Sequence, residues 1–242
     1  MSIKNIKIDV ILPVFNESEV LEKQLRILKD YLNHNNYHSY IIYLTVVDNG
    51  STDQTQEVAK KLLKNKLLDN YIRIPEKGRG RALKIAMKKS KANVFCYMDI
   101  DLSTDLQHFF PLINGIIIDN YDISIGSRLS NGSEVIGRKK IREITSRSYN
   151  IIVKILFPKS RIDDMQCGFK AISREKAQIL LPLVKNNFWF FDTELLLLSR
   201  KLNLQIKQLP VKWIDDPSSS VNILKTAIED LIGLIRIRIN IK

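Results

Sequence analysis

Four short polar motifs, each placed directly after an apolar run of strand length, constrain this chain more than any other feature. The runs at residues 8–15, 40–47, 71–74 and 94–98 alternate with segments of helical pattern. Such alternation predicts βα units and a mostly parallel sheet flanked by helices, an α/β fold. After the first run stands Pro13-Val14-Phe15-Asn16-Glu17, and after the second Asp48-Asn49-Gly50-Ser51-Thr52-Asp53. Gly78-Arg79-Gly80-Arg81-Ala82 follows the third and Asp99-Ile100-Asp101 the fourth. In open α/β sheets ligands bind at the C-terminal edge of the strands. Singly, each motif is also what turn and capping chemistry produces. That chemistry gives no reason for four of them to line one sheet edge in order.

Between the runs, Asn16 and Glu19 have capping-box spacing, and Leu21, Leu25, Leu28 and Leu32 make one helix face. Thr52 or Asp53 is the expected cap of the next helix, with Val58 and Leu62 inside. A basic helix is expected over 80–90 and a fifth strand over 121–127. Further on, helices are expected over 141–157, 191–201 and 222–234, and strands over 168–172 and 205–213. Asp215 to Ser220 has loop composition. The last eight residues alternate with period two and suit a strand or a frayed tail. No repeat or linker divides the chain, so a single domain over 1–220 with an amphipathic basic tail over 221–242 is expected.

Composition narrows the function. Apolar residues at 45% suffice for one core. The net charge of +12 is uneven: residues 59–91 carry twelve basic and two acidic side chains, and 138–176 carry eleven and four. Such surfaces seek anions: phosphates, nucleic acid or acidic lipid. Cys96 and Cys167 belong to no metal-ligand spacing, and a reducing compartment fits them. Neither a secretory leader nor an apolar stretch of spanning length is read in the chain.

Asp99 and Asp101, two apart at a strand end, are expected to share a face. Paired carboxylates in a cleft suit a hard divalent cation, which can bridge a diphosphate; helix capping and solvation of a loop is the plainer alternative. Gly78 and Gly80 would let backbone approach a ligand, and Arg79 and Arg81 at a helix N-terminus favour anions. The absence of GxGxxG after the first strand argues against a dinucleotide-dependent oxidoreductase.

Taken together with Gly126-Ser127-Arg128, Gln166-Cys167-Gly168-Phe169-Lys170 and Phe191-Asp192-Thr193-Glu194-Leu195, these motifs resemble family 2 glycosyltransferases of the GT-A fold. Within that family the chain looks most like the dolichyl- or polyprenyl-phosphate glucosyl- and mannosyltransferases. The resemblance runs from about residue 7 to 215. It implies a nucleotide-diphosphate sugar donor, UDP-glucose first and GDP-mannose next, and a lipid phosphate acceptor with inversion at the anomeric carbon. Pro13, Asn16, Glu17, Asp48, Gly78, Arg79, Gly80 and Asp99 would border the donor, with Glu17 and Asp48 on its ribose and base. Asp101, with Asp99, would hold Mg²⁺ or Mn²⁺. Arg79 stands where the family motif has lysine. Arg128 would lie near the diphosphate or the acceptor, and Arg138 and Arg147 would face the acceptor phosphate. Ser218-Ser219-Ser220-Val221 lacks the basic residue that many relatives carry there.

A phosphate acceptor is already anionic, whereas a saccharide hydroxyl, the alternative acceptor in cell-surface glycan synthesis, needs a base; Asp164 or Asp163 is the candidate. The basic, apolar tail predicts contact with an anionic membrane surface, and the protein is expected to be cytoplasmic and peripheral on the cytoplasmic face of a membrane. A nucleotidyltransferase would release pyrophosphate in place of a nucleoside diphosphate. Nucleic acid is not an expected partner, because binding by charge alone gives Asp99 and Asp101 no task.

Overall fold

A computed structural model describes residues 5–36, 40–215 and 223–240. The central strand is β1 (Lys7–Val14), whose last seven residues are all buried, as a strand covered on both faces requires. It pairs in parallel with β2 (Ile41–Asn49) on one side and β4 (Val94–Tyr97) on the other. β3 (Asn70–Ile74) extends the sheet beyond β2. Beyond β4 the direction reverses: β7 (Lys170–Ser173) runs antiparallel to both β4 and β5 (Ile123–Ser127), and β8 (Ile206–Pro210) closes the edge parallel to β5. The order is β3-β2-β1-β4-β7-β5-β8. A parallel ribbon of β6 (Glu134–Ile136) and β9 (Lys212–Ile214) lies apart from it.

Alternation along the strands divides the core in two. Ile11, Val47, Phe95, Tyr97, Ile125 and Ile172 face one layer, with α3 (Arg79–Lys89), α5 (Lys140–Leu156), α6 (Arg174–Leu180), α7 (Phe191–Lys201) and α8 (Ile223–Asn240). Val10, Leu12, Val46, Cys96 and Ala171 face the other, with α1 (Leu21–Asn35), α2 (Thr55–Lys64) and α4 (Phe109–Ile117). Both cysteines are buried free thiols. The crevice between β1 and β4, where chain connections leave in opposite directions, is the switch point at which such sheets bind ligands.

Several local expectations are corrected. Asn16 and Glu19 do not form a capping box; Val20 stands at the N-cap position of α1 without a side-chain bond, and the Glu17 carbonyl accepts from the Val20 and Leu21 amides. The 205–213 run is broken at Val211 into β8 and β9, each in its own sheet. The period-two tail is helix through Asn240, with Leu234 and Ile237 buried against the first core layer. Gly233 lets α8 lie against Phe190, since a Cβ there would come within 2.5 Å of the ring. α4, β6 and α6 were not anticipated. The Ser218-Ser219-Ser220-Val221 departure lies outside the described residues.

Candidate functional site

The loops after β1 and β2 are tied into one wall. Asn16, at φ 57°, donates its amide to Ser51 Oγ (2.9 Å) and accepts from the Thr52 amide at Oδ1 (2.8 Å). The Glu17 amide donates to Thr55 Oγ1. Asn49, to which the sequence reading gave no role, joins three segments: its Nδ2 donates to the Val14 carbonyl (2.6 Å), and its Oδ1 accepts from the Gly78 amide (3.1 Å). Pro13 is buried in β1. Asp48 is fully enclosed; Oδ1 accepts from the Ser51 amide and Oδ2 from Tyr71 Oη at 2.9 Å, with Arg73 at 3.5 Å. These bonds brace the turn after β2.

Gly78 and Gly80 serve the chain's own packing. A Cβ on Gly78 would come within 2.6 Å of the Asn187 carbonyl oxygen, and one on Gly80 within 2.6 Å of Phe191 Cβ. They let the start of α3 press against residues 187–191. Arg79, expected to border the donor, is correspondingly turned inward onto two carboxylates. Only 8% exposed, it donates from Nε and Nη2 to Asp99 Oδ1 (3.1 and 3.0 Å) and from Nη1 to Asp192 Oδ2 (2.6 Å). The two carboxylates push its pKa up against the opposing effect of burial.

β4 ends at Tyr97, so Asp99 and Asp101 sit in a turn and not on a strand face. The turn closes with the Leu102 amide donating to the Asp99 carbonyl, and Asp101 Oδ1 accepts from the Ser103 amide at 2.9 Å. Asp99 is 32% exposed. Its Oδ2 lies over Gly168, where a Cβ would come within 2.1 Å. Among the described residues no three His, Cys, Asp or Glu side chains form a closed metal cage. Asp99 and Asp101, both half-buried, could hold an ion only as part of a shell completed by water and a diphosphate, as Mg²⁺ sites commonly are.

Arg128, at the end of β5, forms a fork on Asp164. Nε meets Oδ2 at 2.7 Å, Nη2 meets Oδ1 at 2.9 Å, and the Arg128 amide also donates to Oδ2. The guanidinium lies 5.0 Å from the Trp213 ring centroid. Although burial opposes it, the Arg128 charge holds Asp164 down to about 2. Asp164 is thereby an anchor for Arg128, which corrects its candidacy as a base. Asp163 is held by Lys154 and Ser130.

The remaining two arginines exchange places in importance. Arg147 is 58% exposed and pairs along α5 with Glu143, so it does not point into the cleft. The Arg138 side chain is only 9% exposed, in the field of Arg128, Asp164 and Asp215, and burial lowers its pKa. Its Nη1 is 3.2 Å from a Glu143 oxygen without hydrogen-bond geometry, and neither Nε nor Nη1 has a hydrogen-bond acceptor. Buried guanidinium N–H groups left unpaired are costly. On α5, Ser146 Oγ is likewise buried and unpaired.

The model of the family described as "Glycosyl transferase family 2" matches residues 9–180. The chain belongs to this glycosyltransferase family. Glycosyltransferase AglD of Haloferax volcanii is 31% identical over 234 residues, covering 95% of this chain and 36% of that protein. The dolichyl-phosphate β-glucosyltransferase of Dictyostelium discoideum is 29% identical over 249 residues, covering 98% and 75%. The chain therefore spans about a third of AglD and three quarters of the Dictyostelium enzyme. In fold, the glycosyltransferase superposes on glucosyl-3-phosphoglycerate synthase of Mycobacterium tuberculosis, crystallised with Mn²⁺ and UDP. That match has a TM-score of 0.70 and 18% identity over 96% of this chain and 79% of the other. The GT-A architecture expected from the sequence is the one observed.

Lys170 and Asp192 lay in quoted motifs but were given no task. Lys170 is 1% exposed at the first position of β7, and Asp192 is 3% exposed among the apolar residues of α7. Ionisable residues at positions that strand or helix periodicity turns inward are the signal that could have singled them out.

Proposed function

We propose that this glycosyltransferase moves a hexose, glucose from UDP-glucose in the first instance and mannose from GDP-mannose in the second, onto a polyprenyl or dolichyl phosphate. The observation that carries the reading is Arg138: a buried cation beside Arg128 with N–H groups awaiting acceptors. A phosphate monoester supplies such oxygens, and arginine suits them. The names of the Dictyostelium and related proteins support the acceptor class. The state of Asp164 supports it too. A carboxylate held at about 2 by Arg128 makes a poor base for a hydroxyl, and an anionic phosphate needs none.

Asp99 and Asp101 fit Mg²⁺ or Mn²⁺, which when bound supplies Lewis-acid neutralisation of the departing diphosphate. Arg79 orients Asp99 from behind. Arg128, fixed by Asp164 and Trp213, adds charge where the leaving group becomes more negative. The acceptor phosphate oxygen forms the new bond to the anomeric carbon, while the bond from that carbon to the diphosphate breaks. Attack from the face opposite the leaving group inverts the centre.

The acceptor implies a membrane, and the surface suits one. α5 exposes Ile141, Ile144, Ile151 and Ile155, and α8, packed beside it, exposes Ile228, Leu231, Ile232, Ile235 and Ile239. Apolar patches on this scale are uncommon on proteins that meet only water. Exposed Lys139, Lys140, Arg147 and Arg238 lie on the same helices or at their ends, as anionic lipid requires. Among the described residues no helix is long and apolar enough to cross a membrane. Residence at the cytoplasmic face is part of this reading, and nucleic acid is not.

The test is transfer of radiolabelled sugar from UDP-glucose and from GDP-mannose to polyprenyl phosphate, with polyprenol as control. Label should enter the organic phase with the phosphate only, and Arg138→Met should raise the acceptor KM at least about tenfold, a lost charge-assisted bond, at unchanged donor KM. Equal transfer to polyprenol, or an unaffected Arg138→Met enzyme, would refute it.

A further inference from the structure

Behind Asp99 lies a buried ionic cluster for which the proposed chemistry has no direct use. Asp192 Oδ2 accepts from Arg79 Nη1 at 2.6 Å, while its Oδ1 accepts from Lys170 Nζ and Tyr97 Oη, both at 2.7 Å. Lys170 also donates to the Cys167 carbonyl, one residue before Gly168. Arg79, Lys170 and Asp192 are each less than one tenth exposed; Asp99 is the member that reaches solvent. The cluster holds two cations and two anions.

This balance matters because Arg79 is shared. With Nη1 held by Asp192, the guanidinium presents Nε and Nη2 to a single oxygen of Asp99. The other oxygen, Oδ2, stays on the Gly168 side. Asp192 also cancels one of the two positive charges behind the cleft. Without it, Asp99 would face Arg79 and Lys170 with no counter-charge, and its attraction for a cation would fall.

We propose that Asp192 is a positioning residue that sets how strongly Asp99 holds a divalent cation, by orienting Arg79 and by cancelling one buried positive charge. The inference rests on the metal-dependent reading above. It predicts that charge, not shape, is what counts: removing Asp192 weakens the cation, and removing Lys170 as well restores it.

Free Mn²⁺ can be measured by electron paramagnetic resonance in the presence of saturating UDP, for the wild type, Asp192→Asn and the Lys170→Met/Asp192→Asn pair. The single variant should raise the Mn²⁺ dissociation constant about tenfold, the order expected for one unit charge acting through an effective dielectric of about 20. The double variant should return to within about threefold of wild type, by the same Coulomb estimate. A merely structural role would make the double variant as weak as the single one. Wild-type affinity in a folded Asp192→Asn protein, or failure of the double variant to recover, overturns the inference while leaving the metal reading intact. Absence of Mn²⁺ binding by the wild type would overturn both.

Discussion

Gly168 is the position at which a single added methyl group would most directly disturb the site. A methyl group there would lie 2.1 Å from Asp99 Oδ2 and 3.1 Å from Arg79 Nη2, so Asp99 must turn away. Gly168→Ala should lower stability by about 1–3 kcal/mol, the usual cost of overpacking. UDP affinity measured with Mn²⁺ should fall at least about tenfold, as expected when a coordinating group is displaced. A thermal melt and a UDP titration check the two effects separately. Arg147→Ala should leave the acceptor KM within about twofold, because an exposed ion pair along a helix contributes little. The motif residues were readable in the sequence, but their directions were not. Period two described strands, whereas Asp99 and Asp101 sit in a turn. Which of Arg138 and Arg147 faces inward depended on where α5 begins and what it packs against. The inward turn of Arg79 was not legible because its two carboxylate partners lie 20 and 113 positions away.

At the scale of elements, polar contacts of α8 include an ion pair from Arg236 to Glu194 on α7 at 2.7 Å and a bond at Asp230. Gln166 Nε2 donates to Asp230 Oδ2 at 2.5 Å, and Asp230 Oδ1 is buried and unpaired. Burial, with Glu229 on α8 and Asp192 on α7, lifts Asp230 from 3.8 to about 7, against the lowering effect of Gln166. The seated helix thus binds a proton that a released helix gives up. Its docking is fully supported below about 4, weakens as pH rises toward 7, and levels off above. Hydrogen exchange over residues 223–240, corrected for intrinsic rates, should show protection falling between pH 5 and 8 in the wild type. Asp230→Asn should show no such fall; the same dependence in the variant would assign it elsewhere. Element types were legible where periodicity was long and unbroken, as in α1 and α7. They were not where an apolar period of two sat on a helix, as with Ile235, Ile237 and Ile239. Here burial of Leu234 and Ile237 against the core, not local pattern, decides the outcome.

At the scale of the molecule, the sheet, its switch point and the family were legible because the motifs recur after successive strands. The apolar face was legible only in part, since it is assembled from α5 and α8, helices more than sixty residues apart in sequence. That face predicts binding to vesicles containing phosphatidylserine that decreases with salt, each basic residue near the surface contributing about 1 kcal/mol. Replacing Ile144, Ile155 and Ile232 with serine should abolish the residual binding at high salt, read by sedimentation, without altering UDP affinity. The central claim is that the crevice between β1 and β4 holds a nucleoside diphosphate through Asp99 and Asp101. A crystal structure with UDP and Mn²⁺ tests it most directly. The expected result is an ion on these two carboxylates beside the diphosphate, with Arg79 still bound to Asp99 and Asp192. A nucleotide bound elsewhere, or an ion held by other side chains with this turn unengaged, would contradict it.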